Sequence, residues 1–111
     1  MPKVLLFANT DWYLYNFRLA LAKELRSRGY EVVLLSPPGD FQNLLQANGF
    51  QWIPFSLSRQ GVNPFSELQT VWRLLRVYRQ VKPDIVHHFT IKPVIYGSLT
   101  AHILGIKSII N

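Results

Sequence analysis

The chain has 111 residues, 49% of them apolar and 16% charged, and contains no cysteine. That length bounds it to one domain with a real core. The apolar fraction excludes disorder, and the absence of thiols excludes disulfides, cysteine catalysis and zinc ribbons, leaving a reducing, cytoplasmic setting as the expectation. A net charge of +6, from twelve Lys and Arg against six Asp and Glu, favours an anionic partner without choosing among phosphate groups, nucleic acid and a membrane surface.

Lys3 to Ala8 is a continuous apolar run, which fits a strand buried on both faces. The run is too short for a signal-peptide core, and no apolar run in the chain reaches the roughly 18 residues a spanning helix needs. The expectation is a soluble protein, or one that lies on a membrane without crossing it. From Leu14 the period changes. Leu14, Phe17, Leu21 and Leu25 share one face, Arg18 and the following cations lie mostly elsewhere, and the helix runs to about Gly29. Tyr30 to Leu35 is a second buried strand, ended by Ser36-Pro37-Pro38-Gly39-Asp40. Phe41 to Asn48 is a short helix, and Gln51 to Phe55 a third strand, placed at the sheet edge because Pro54 cannot donate to a ladder.

After a loop from Ser56 to Asn63, Pro64 opens a helix that runs to about Val81, with Leu68, Val71, Trp72, Leu75 and Tyr78 on its apolar face and Arg73, Arg76, Arg79 and Lys82 on another side. Lys82-Pro83 stops it. Asp84 to His88 is a fourth strand, Pro93 opens a helix to about Leu104, and Lys107 to Ile110 is a fifth strand. Strands alternating with helices at this spacing predict a Rossmann-like α/β domain spanning 1–111, with a parallel sheet ordered 3-2-1-4-5 and helices on both faces. A fifth strand with no covering helix after it leads us to expect a fragment of a longer protein.

In such a sheet ligands bind where strands end and helices begin. The first such turn, Asn9-Thr10-Asp11, has no glycine, which argues against a nicotinamide-binding turn. Asn9 and Asp11 read either as hydrogen-bonding groups for a polyol or as ordinary turn and capping residues. His87 and His88 are adjacent on a strand, so they point to opposite faces and cannot share a metal; one faces the core and the other can reach the crevice. No metal site is expected. Thr90 and Lys92 lie at the exit of the fourth strand, and Lys92 is placed to meet an anion beside the free N–H groups of the following helix. Arg59, in the loop before the long helix, carries a planar fork suited to phosphate or carboxylate. The basic side of that helix reads as a solvated face, with an anionic leaflet as the competing partner. The aromatic residues are not interleaved with the cations as a nucleic-acid stacking platform requires, so no nucleic acid is expected.

Taken together, Asn16-Phe17-Arg18, Arg28-Gly29-Tyr30-Glu31-Val32, Arg59-x-Gly61-x-Asn63-Pro64, Lys82-Pro83-Asp84-Ile85-Val86-His87 and Phe89-Thr90-Ile91-Lys92-Pro93-Val94-Ile95-Tyr96-Gly97 resemble the amino-terminal domain of bacterial family-4-type GT-B glycosyltransferases. The resemblance implies retaining transfer of a sugar from a nucleotide-sugar donor to a polyprenyl-diphosphate-linked saccharide, with no cofactor or required metal, at the inner face of the cytoplasmic membrane. It implies that the donor is held mainly by a second domain, so that this chain alone is inactive. By position it gives His87 and Lys92 catalytic roles and makes Arg18, Arg59, Asn63 and Thr90 substrate-binding. Many members carry a second histidine two residues after the first, and this chain has Phe89 there. The alternative reading is a non-catalytic Rossmann-like module that binds an anionic ligand such as a nucleotide or nucleic acid.

Overall fold

The computed structural model describes residues 2–57 and 64–111; Arg59 and Asn63 lie outside the described residues. Five strands, β1 (Lys3–Phe7), β2 (Glu31–Ser36), β3 (Gln51–Pro54), β4 (Ile85–His88) and β5 (Ser108–Ile110), form one parallel sheet in the order β3-β2-β1-β4-β5. This is the expected order, and Pro54 lies on an edge strand as its missing N–H requires. β1 is central and buried on both sides, so its side chains divide between two apolar layers. Val4, Leu6 and Ala8 pack with Val32 and Leu34 beneath α2 (Leu19–Ser27) and α3 (Gln42–Ala47). Leu5, Phe7, Val33 and Val86 pack against α4 (Pro64–Val81) and α5 (Ile91–Leu104).

Three local departures from the sequence reading matter for the site. The first helix starts at Asp11 rather than Leu14: Thr10 is its N-cap, with Oγ1 accepting from the Tyr13 amide at 3.0 Å. After one short segment, α1 (Asp11–Tyr13), the chain passes through a π-helical stretch, Leu14–Arg18, before α2 begins. The wider turn changes the facing of the side chains along it. Leu14 stays buried at 1% exposure while Phe17, expected on the same face, is 55% exposed.

In α4 the buried stripe is Thr70, Leu74, Tyr78 and Val81, while Leu68 and Trp72 lie outside. Both stripes are apolar at helical spacing, and Thr70 enters the core because its hydroxyl donates to the Ser66 carbonyl at 2.9 Å. In α5 the helix opens at Ile91, so Pro93 is its third residue and Lys92 belongs to its first turn. Proline is tolerated there because none of the first four amides of a helix has a partner within it. The end of α4 follows the sequence more simply: Lys82 adopts φ 54°, outside the right-handed helical region that a following proline disfavours.

Candidate functional site

A pocket of about 430 Å³ opens at the carboxyl ends of β1 and β4, walled by Tyr13, Arg18, Leu21, His87, His88, Phe89, Thr90, Val94 and Asn111. Both histidines wall it, from opposite faces of the sheet. His88 pairs with Phe7 and shares its side of the sheet, whereas His87 pairs with Leu6 on the α2 side. His87 is half-buried and its ring lies 4.1 Å from that of Phe89. Burial lowers its pKa first, and the charges of Arg18 and His88 push it further down, so the imidazole is neutral at pH 7.

Arg18 reaches the pocket from the end of the π stretch. Its guanidinium carbon lies 4.7 Å from the Phe89 ring centre and 5.3 Å from that of Tyr13, and Nη2 donates to the Tyr13 hydroxyl at 2.9 Å. Nη1 donates to the Phe17 carbonyl at 3.3 Å, while Nε is buried with no partner among the described residues. Thr90, on the pocket wall, adopts φ 70°, ψ 169°, a region that β-branched residues avoid. Its hydroxyl donates to the Phe89 carbonyl and does not cap α5.

The other sequence-named residues divide. Asn9 is exposed at the exit of β1 and Lys92 is half-buried in the first turn of α5; neither is among the residues that line the pocket. Asp11 is buried, with Oδ2 accepting from the Phe41 amide at 2.7 Å and Oδ1 from the Trp12 amide at 2.8 Å. It joins the exit of β1 to the loop after β2, where Gly39 leaves room for the carboxylate: a Cβ there would overlap it. The sequence reading missed Tyr13, Phe89 and Asn111. Phe89 stands where a histidine was sought, and Tyr13 meets Arg18 at a spacing that no α-helical pattern scores.

His88 is 1% exposed and sits in a hydrogen-bonded chain. Nδ1 lies 2.9 Å from Asn111 Oδ1, which also accepts from Ser98 Oγ at 2.9 Å, and Nε2 lies 2.8 Å from the Tyr78 hydroxyl. A carbonyl oxygen only accepts, so Nδ1 carries the proton and Nε2 accepts from Tyr78. Burial pushes the His88 pKa down, with the Asn111 bond partly offsetting it, and burial pushes the Tyr78 phenol up. An unfolded histidine binds a proton near pH 6.5 where folded His88 does not. Stability is therefore fully present above the ordinary imidazole pKa and lost as pH falls from about 6.5 toward the folded pKa, by up to about 1.4 kcal/mol per pH unit per histidine. His87 acts in the same direction. Denaturant melts at pH 7.5, 6.5 and 5.5 should show this slope, and it should shrink in His88→Gln; an unchanged slope would remove His88 as its source.

Residues 3–111 match the family described as glycosyl transferase 4-like. The Campylobacter jejuni N,N'-diacetylbacillosaminyl-diphospho-undecaprenol alpha-1,3-N-acetylgalactosaminyltransferase is 28% identical over 79% of this chain and 23% of its own length. A UDP-N-acetylglucosamine–N-acetylmuramyl-(pentapeptide) pyrophosphoryl-undecaprenol N-acetylglucosamine transferase of Paracidovorax citrulli is 36% identical over 61% of the chain and 22% of its own. The chain thus spans under a quarter of the length of these relatives. Among solved structures, Acinetobacter baumannii MurG superposes with a TM-score of 0.77 at 26% identity, over 98% of this chain and 34% of that one. A Rickettsia africae glycosyltransferase shares the fold, with a TM-score of 0.73 at 18% identity over 97% of this chain and 28% of that one. With the strand order, the pocket at the strand ends and a match over almost its whole length in agreement, the chain belongs to the glycosyl transferase 4-like family.

Proposed function

We propose that this chain is the acceptor-side, amino-terminal domain of a retaining glycosyltransferase that moves a sugar from a nucleotide-sugar donor to a polyprenyl-diphosphate-linked saccharide. The observation that carries the reading is the pocket itself: a guanidinium packed against two neighbouring rings, beside a neutral imidazole, at the exit of the strand that bears the Pro-Asp-Ile-Val-His stretch. The names of the two relatives, both of which specify undecaprenol carriers, support the acceptor class.

In this reading the donor nucleotide is held mainly by a second domain across the cleft. Transfer with retention places developing charge on the leaving diphosphate, which fixed cations and helix N-termini stabilise. Lys92, in the first turn of α5, and Arg59, ahead of α4 in the sequence, are the cations this chain offers, with Asn63 as a neutral polar contact to substrate. His87 meets the acceptor hydroxyl as a neutral imidazole that can accept its proton. Thr90 adds a polar group to the pocket wall, and Asn9 and Asp11, outside that wall, are assigned saccharide contacts from the exit of β1. The membrane enters because the acceptor is lipid-linked: no helix among the described residues is long and apolar enough to cross a bilayer. The exposed Phe65, Leu68 and Trp72 on α4 and Ile91, Ile95 and Leu99 on α5, with a net charge of +6, suit an anionic leaflet.

The test is transfer by the full-length protein, with nucleotide sugars offered singly against a short-chain polyprenyl-diphosphate disaccharide, on vesicles with and without anionic lipid. The expected result is a lengthened saccharide whose new linkage keeps the donor's anomeric configuration, formed faster on anionic vesicles. Inversion would remove the retaining assignment. Hydrolysis or epimerisation of the donor without transfer would overturn the reading.

A further inference from the structure

The π stretch Leu14–Arg18 does something that no α-helix of the same sequence could do. In an α-helix, residues five apart are rotated by about 140° from one another and do not meet. A π-helix, with its i→i+5 hydrogen bonds, lays them one above the other. Two such pairs form here. Tyr13 meets Arg18, with a hydrogen bond of 2.9 Å, and Trp12 meets Phe17, ring centres 5.3 Å apart and edge to face at 80°. The first pair lines the pocket and the second stands beside it in solvent, Trp12 47% and Phe17 55% exposed.

These pairs are joined. Phe17 lies 5.3 Å from Tyr13, Tyr13 lies 5.9 Å from Phe89, and Phe89 lies 4.1 Å from His87. A continuous run of rings thus leads from the exposed rim to the exit of β4. Along this run, Nη1 and Nη2 of Arg18 each carry a second N–H beyond those given to the Phe17 carbonyl and the Tyr13 hydroxyl. The described residues that line the pocket include no carboxylate to meet this charge.

We propose that the π segment reads the acceptor: Arg18 takes an oxyanion of a diphosphate, and the Trp12–Phe17 pair takes the apolar chain that the diphosphate carries. The planar fork of arginine matches phosphate oxygens in two places at once, and exposed aromatic faces gain by covering an isoprenoid segment. This rests on the transferase reading for the identity of the acceptor. The diphosphate chemistry is shared with the donor nucleotide, so the probes must separate the two.

The experiment is calorimetric titration of the 111-residue chain with inorganic diphosphate, geranyl diphosphate and UDP. Geranyl diphosphate should bind at least about tenfold more tightly than inorganic diphosphate. Trp12→Ala with Phe17→Ala, at two half-exposed positions outside the core, should bring the two within about twofold while inorganic diphosphate binds as before. Arg18→Gln should weaken both by at least about tenfold, with Arg18→Lys restoring only part of the loss. The proposal is overturned if Arg18→Gln changes neither affinity, if the preference for the geranyl group survives loss of both rings, or if UDP binds as tightly as geranyl diphosphate and ignores the ring substitutions. In the full-length protein, an unmoved KM for the lipid-linked acceptor in the double variant would end this assignment and leave the transferase reading standing. Prenyl-diphosphate binding intact in a protein that transfers no sugar would do the reverse.

Discussion

Gly97→Val should destabilise the domain by at least about 3 kcal/mol, enough to lower its melting point by roughly 10–20 °C. Gly97 lies in α5 directly over the His88 ring, and even a single Cβ there would overlap the imidazole. The helix has no room to retreat, because Pro93, Thr100 and Ala101 along it are also buried, Ala101 in the layer with Phe7 and Val86. Either α5 lifts off the sheet, opening that layer, or His88 swings out and forfeits its bonds to Tyr78 and Asn111. Leaving a buried imidazole unpaired costs about 1–3 kcal/mol by itself. A double-mutant cycle separates the two routes. Gly97→Ala should cost about 2 kcal/mol in the parent protein and much less with His88→Ala, because the ring it collides with is gone. Equal costs in both backgrounds would mean that α5 does not rest on His88.

The second large effect is at Asp11, where substitution by alanine should cost about 2–3 kcal/mol by chemical denaturation. The carboxylate accepts from two backbone amides, one of them thirty positions away at Phe41, so it fastens the loop after β2 to the start of α1. Its place in the first turn of a helix adds a favourable interaction with the dipole. Asp11→Asn keeps the shape and an acceptor oxygen, and should lose about half as much. The same pair of variants tests the ligand role proposed for this residue. If Asp11 serves only the loop, transfer by folded Asp11→Asn protein should be near normal. A raised KM with an unshifted melting point would show that the carboxylate touches substrate.

The features legible in the sequence were those written in local signals. The apolar runs at Lys3 and Tyr30 fit strands covered on both faces, and the helical stretches between them imply parallel pairing, which matches the observed strand order. Pro54 marked its own edge. The site was half visible. His87 and Thr90 were named from the exit of β4, and both line the pocket. Lys92 was placed in a loop because proline most often opens a helix, whereas α5 begins two residues before Pro93. On α4 the reading puts Leu68, Val71, Trp72, Leu75 and Tyr78 on the apolar face, and only Tyr78 of these is buried, because Leu74-Tyr78-Val81 offers an equal apolar stripe. The decisive loss was at Leu14–Arg18. Reading that stretch with a period of 3.6 puts Phe17 in the core, whereas the wider turn leaves it exposed; Arg18, named as substrate-binding by the resemblance, lines the pocket half-buried.

The two rims of the sheet are unlike. At β3, Pro54 has no amide to offer a newcomer, and only Gln51, Trp52 and Ile53 precede it. At β5, Ser108, Ile109 and Ile110 carry no such block, and Ile110 is 47% exposed. A newcomer at β3 therefore meets a rim one donor short, whereas β5 offers an unblocked ladder, so edge-to-edge association at high concentration should favour β5.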